Sequence, residues 1–115
     1  MSTRSDAKPV RLADADELDD LLADEPLVLL ELYTKGCGKC QAMEPVIGTV
    51  ARVTDATVAM VNPGDDMTLL DRFEVRSTPT FVLFRDGEQV ATLADGFVET
   101  DRMVRFVESG GESEA

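Results

Sequence analysis

The run Leu27-Val28-Leu29-Leu30-Glu31-Leu32-Tyr33 has no polar face. A strand with one wet side alternates apolar and polar residues. This one does not, so both of its faces need cover. Cover on both faces implies a central strand in a sheet flanked by helices. The run then breaks into Thr34-Lys35-Gly36-Cys37-Gly38-Lys39-Cys40, which holds two glycines and the chain's two cysteines, three positions apart. If that turn opens a helix, Cys37 stands at the helix N-terminus and Cys40 one turn inside it.

The surrounding chain supplies the cover. A helix is expected over residues 37–54, where Met43, Ile47, Val50 and Ala51 share a stripe with Val46 and Val53 beside it. Pro45 falls inside that helix and is expected to kink it, because it removes a backbone donor and crowds the preceding turn. Thr57-Val58-Ala59-Met60-Val61 reads as a second buried strand, ended by Asn62-Pro63-Gly64. A short helix over 67–73 should follow, capped by Asp65 or Asp66. Thr80-Phe81-Val82-Leu83-Phe84 is a third strand, and Asp86-Gly87 turns it into a returning strand over 89–93. A helix over 99–108 closes the order. Upstream, residues 14–24 read as a helix with Leu18, Leu21 and Leu22 on one face and acidic early turns, stopped by Pro26. Val10-Arg11-Leu12 is expected as a short edge strand. The first half crosses over in parallel and the second folds back as a hairpin. The class is therefore α/β, a central mixed sheet with helices on both faces. One domain is expected over residues 10–108, between a flexible leader at 1–9 and a disordered acidic tail at 109–115. At 115 residues the chain can bury a core without disulfide staples.

Charge narrows the partners. The chain has 23 acidic residues against 11 basic, a net of −12. Such a surface repels phosphate backbones and anionic lipid, so neither nucleic acid nor membrane is expected as a partner. Self-repulsion at this density weakens a compact state in dilute buffer and is screened by salt. A salt-rich cytoplasm, as in a halophilic archaeon, is the expected setting; an acidic mesophilic protein is the alternative. Met1-Ser2-Thr3-Arg4-Ser5-Asp6 has no apolar core, so it does not read as a signal peptide. A cytoplasmic monomer is expected.

The chain has no histidine. A zinc ion would find only two thiolates and no second C-x-x-C, so no metal is expected. No Gly-rich phosphate loop follows a strand, and there is no Gly-x-Ser-x-Gly. Redox use of the cysteines remains. A helix N-terminus favours thiolate over thiol at Cys37, and Lys35 and Lys39 add positive potential. Cys40 is placed to attack a mixed disulfide on Cys37. Two inert buried cysteines are the alternative, which the glycine-flanked turn argues against.

Over residues 10–108 the chain resembles the thioredoxin family. Cys37-Gly38-Lys39-Cys40 follows the central strand, and Pro45 lies five residues after the second cysteine. Thr78-Pro79-Thr80, ahead of the hairpin strand, resembles the family's cis-proline signature. Gly96 resembles its late glycine near the substrate groove. The resemblance implies a thioredoxin-like fold and a protein-disulfide reductase. In it Cys37 attacks, Cys40 resolves, and a Cys37–Cys40 disulfide is the oxidised product. It implies no bound cofactor, protein disulfides as substrates, and a thioredoxin-reductase-like electron donor. It implies a cis Thr78–Pro79 bond, substrate backbone pairing at Thr78, and a groove that includes Gly36, Gly38, Pro79 and Gly96. Glu31 matches the family's buried aspartate, which assists proton transfer at the second cysteine; burial there should raise its pKa. The alternatives are a Glu31 that reaches solvent at the strand end, and a Pro79 that merely starts an edge-exposed strand. Three positions depart from the family pattern. Gly36 replaces the usual Trp, Lys39 replaces the Pro of Cys-Gly-Pro-Cys, and Met60 replaces a buried lysine. The change at Lys39 points to a less reducing couple. Glutaredoxin-like or oxidase/isomerase exchange is thus the alternative activity. A non-catalytic binding module is a further one, disfavoured by an intact C-x-x-C.

Overall fold

In the computed structural model the described residues are 7–112. Most of the leader and the last three residues of the expected tail lie outside them. The element order is β1 (Val10–Leu12), α1 (Ala15–Asp24), β2 (Leu27–Leu32), α2 (Gly38–Val53) and β3 (Thr57–Val61). A 3-10 turn at Pro63–Asp65 then leads to α3 (Met67–Phe73), β4 (Thr80–Arg85), β5 (Glu88–Leu93) and α4 (Thr100–Glu108). The sheet order is β1-β3-β2-β4-β5, so β2 is the middle strand. It pairs in parallel with β3 and antiparallel with β4. β4 and β5 are antiparallel, and β1 adds in parallel to β3 at one edge.

The absence of polar alternation in β2 now has its reason. Leu29 points into a core with Met43, Ile47, Phe81, Met103 and Phe106, beneath α2 and α4. Val28, Leu30 and Leu32 point the other way, into a core with Leu18, Leu69 and Phe84 beneath α1 and α3. One strand feeds two interiors through alternate residues.

Local chemistry sets the element ends. Asp14 caps α1 by accepting from the Glu17 amide at 3.0 Å, while Glu17 Oε1 accepts from the Ala13 amide at 2.8 Å. Asp66, rather than Asp65, caps α3, accepting from Thr68 N at 3.1 Å. Its second oxygen accepts from Ala15 N at 3.0 Å, tying the starts of α1 and α3 together. These bonds, Ala15's first, hold the Asp66 carboxyl below its ordinary value. At the hairpin, Asp86 and Gly87 take φ of 52° and 83°, the two positive values that a type I′ turn requires. Pro45 sits in the interior of α2, which runs on to Val53.

The segment after α4 departs from the expected tail. Gly110 N donates to Val107 O at 3.2 Å and Gly111 N to Phe106 O at 2.8 Å, a Schellman cap. Gly111 is buried, with φ of 88°, and a Cβ there would overlap that of Ala91 on β5. Residues 109–112 thus finish α4 and pack on the sheet edge. The capping hydrogen bonds and the close approach to Ala91 order a segment that its composition alone reads as loose.

Candidate active site

β2 ends beneath the reactive turn and α2 begins above it. Gly36 supplies the bend: its φ is 76°, in the left-handed region, although a Cβ would meet nothing within 4 Å. Glycine is needed there for conformation and not for room. With no Trp at this position, this side of the turn is open.

Cys37 is the N-cap of α2, and its Sγ accepts from the Cys40 amide at 3.1 Å. The two cysteines form a disulfide, with Cα atoms 5.2 Å apart. They differ in access. Cys37 is half-buried, whereas Cys40 is 5% exposed and packed in α2. Cys37 is thus the more exposed residue of the pair.

The Thr78–Pro79 peptide is cis, and Pro79 is buried. Thr78 lies against the disulfide. Thr78 O lies 3.7 Å from Cys37 Sγ, and Thr78 Oγ1 donates to the same sulfur at 3.6 Å. Gly96 has φ of 72°, and a Cβ there would sit 3.4 Å from both Cδ and Nζ of Lys39. The Lys39 side chain therefore lies across Gly96. Gly38 is exposed at the first position of α2, again with open space where a Cβ would be.

Glu31 is fully buried, which removes the solvent-reaching alternative. Its neighbours in register are Met60 on β3 and Phe81 on β4, and neither carboxylate oxygen is hydrogen-bonded among the described residues. Burial, with the Glu44 charge adding to it, pushes its pKa up to about 7; Arg11 opposes them. Arg11 is in register with Met60, on the far side of β3 from Glu31. Its guanidinium donates to Tyr33 Oη at 3.2 Å and stacks over that ring, 5.5 Å from the centroid. A cavity of about 180 Å³ is lined by Arg11, Tyr33, Cys37, Cys40, Glu44 and Met60.

Sequence reasoning singled out Cys37, Cys40, Glu31, Thr78, Pro79, Lys39 and Gly96 but missed Arg11, Thr34 and Glu44. Arg11 could have been found only as a charge in the middle of an edge strand. Thr34, whose Oγ1 is 3.0 Å from that of Thr78, sits 44 residues from its partner, and no local spacing reveals it. A larger cleft, about 560 Å³, lies at the other end of β2 and is lined by Asp19, Asp24, Glu25, Arg72 and Asp86. It is remote from both sulfurs. Among the described residues no cluster of His, Cys, Asp and Glu could hold a metal ion, and no helix is long and apolar enough to cross a membrane.

The Thioredoxin family model matches residues 9–109. A thioredoxin from Mycobacterium tuberculosis is 32% identical over 92 residues, covering 78% of this chain and 79% of the relative. Thioredoxin-1 from Drosophila yakuba is 34% identical over 91 residues, covering 76% and 85%. Among solved structures, a mutant thioredoxin from Halobacterium salinarum superposes with a TM-score of 0.85 at 37% identity, covering 97% of this chain and 96% of that one. That similarity supports the halophilic archaeal origin expected from the charge.

Proposed function

The chain belongs to the thioredoxin family and is a protein-disulfide oxidoreductase whose redox centre is the Cys37–Cys40 disulfide, with no bound cofactor; on that premise we propose how its residues divide the reaction. The Cys37 thiolate attacks one sulfur of a target disulfide. The other target sulfur leaves and takes up a proton. Cys40, once deprotonated, attacks Cys37 Sγ, the target leaves as a dithiol, and the Cys37–Cys40 disulfide remains. Two electrons pass to the target.

The observation that carries this division is the unequal exposure of the two cysteines, together with the Cys40 amide donating to Cys37 Sγ. A donor aimed at the outer sulfur stabilises negative charge there, and the N-terminus of α2 adds to it. Glu31 takes the Cys40 proton: a carboxylate with a pKa of about 7 can both accept and release a proton near neutrality. Thr78 presents its backbone to an extended target beside Cys37, while Gly36, Gly38, Pro79 and Gly96 shape the groove. Lys39, lying across Gly96, puts a positive charge in the reactive turn. A flavin-dependent, thioredoxin-reductase-like donor returns the disulfide to the dithiol. The protein works as a monomer in a salt-rich cytoplasm.

Insulin reduction in molar KCl tests the division of labour. Cys37→Ser should abolish turnover. Cys40→Ser should stop at a mixed disulfide on Cys37, visible by mass spectrometry. An adduct on Cys40 in the Cys37→Ser protein, with turnover retained, would reverse the assignment.

A further inference from the structure

A pair of threonine hydroxyls from two separate loops meets at the outer sulfur. Thr34 Oγ1 and Thr78 Oγ1 are 3.0 Å apart, with either able to donate, and Thr78 Oγ1 lies 3.6 Å from Cys37 Sγ, within reach to donate to it. A hydroxyl has one hydrogen to give. If Thr78 gives its hydrogen to sulfur, the hydrogen between the two threonines must come from Thr34. The order is then fixed: Thr34 O–H to Thr78 Oγ1, and Thr78 O–H to Cys37 Sγ.

We propose that Thr34 is a positioning residue for the thiol-disulfide reaction, polarising the Thr78 hydroxyl toward the Cys37 thiolate. The inference rests on the assignment of Cys37 as the attacking sulfur. Sulfur in a disulfide is a poor acceptor, and thiolate sulfur is a good one. In the oxidised protein the Thr78 hydrogen is shared between two weak claims, the sulfur and Thr34 Oγ1. On reduction the negative sulfur takes it, and Thr34 rotates its own hydrogen onto Thr78. Both changes are rotations about C–O bonds, so the loops need not move. A hydrogen bond that is itself hydrogen-bonded is the stronger donor. The pair therefore favours the reduced, ionised state of Cys37 and works in the same direction as the Cys40 amide. Thr34 lies on the turn leaving β2 and Thr78 precedes Pro79, so the contact also joins the two segments that border Cys37.

The test follows alkylation of the reduced protein by iodoacetamide against pH, with the modified cysteine identified by mass spectrometry. Thr78→Val should raise the midpoint by roughly one pH unit, through loss of a charge-assisted hydrogen bond. Thr34→Val should raise it by a few tenths of a unit, the size of a cooperative strengthening. Thr34→Ser, which keeps the hydroxyl, should restore the original midpoint. In a Thr78→Val background, Thr34→Val should have no further effect, because there is no hydroxyl left to polarise. The relay is overturned if Thr34→Val leaves the midpoint unmoved, if it moves it equally in both backgrounds, or if Thr34→Ser fails to restore it. Alkylation at Cys40 instead of Cys37 would overturn the attacking-sulfur assignment, a separate failure read in the same experiment.

Discussion

Glu31 shows what one buried charge does to the whole chain. Its ordinary pKa is 4.5 and the fold moves it to about 7, chiefly through burial. The native state therefore holds a proton that the unfolded chain gives up between those values. Glu31's contribution to stability is lost as pH rises from 4.5 to about 7 and is level above that. Converted, the shift amounts to about 3 kcal/mol. Glu31→Gln cannot ionise, so its stability relative to the native sequence should improve by up to about 3 kcal/mol between pH 5 and pH 8. Urea denaturation of both proteins at the two pH values measures this, and other carboxylates cancel in the difference. The same substitution should slow release of the mixed disulfide while sparing first attack by Cys37. The sequence made Glu31 conspicuous because it interrupts an apolar run. Its charged neighbours were hidden: Arg11 acts across two strand pairings, and register between distant strands is not written locally. The contact between Thr34 and Thr78 was hidden for the same reason.

At the level of elements, most of the order was legible. Where a local signal specifies a local geometry, as Asp86-Gly87 does for a type I′ turn, the reading and the structure agree. Gly110-Gly111 is different. The same dipeptide suits a loose end or a helix cap, and only the contact with Ala91 decides. That contact makes a specific demand. Gly111→Ala must hold a side chain at φ of 88° and overlap Ala91, so it should destabilise by roughly 2–4 kcal/mol. The check is the urea midpoint at unchanged slope. Adding Ala91→Gly should recover the part due to overlap and leave the part due to backbone strain. Equal stability of Gly111→Ala and the native protein would mean that the turn does not pack on β5.

Across the whole molecule, charge dominates. The ion pairs Arg72–Asp19 at 2.8 Å and Arg102–Asp95 at 2.7 Å are on the surface and contribute little. They leave a net of −12 opposed mainly by solvent ions. Raising salt from 0.1 M to 1 M shortens the screening length from about 10 Å to about 3 Å. The melting temperature should accordingly rise, on the order of 10 °C, between dilute buffer and molar KCl. A flat response in a thermal scan would show that repulsion is not what limits stability. This property was visible in composition alone, because it depends on how many charges there are and hardly on where they sit.

The position of β2 in the middle of the sheet separates two things that a redox site needs. The turn bearing Cys37 and Cys40 leaves the strand with hydrogen-bonded partners on both sides, and opening of a protein by local unfolding starts at its rims. β1, three residues long and largely exposed, is such a rim, and it carries Arg11. If β1 detaches for a moment, the two sulfurs keep their spacing while Glu31 loses its nearest positive neighbour on the sheet. Distances at the centre are thus held by the interior, and the acidity of the group beneath them is left adjustable from the edge.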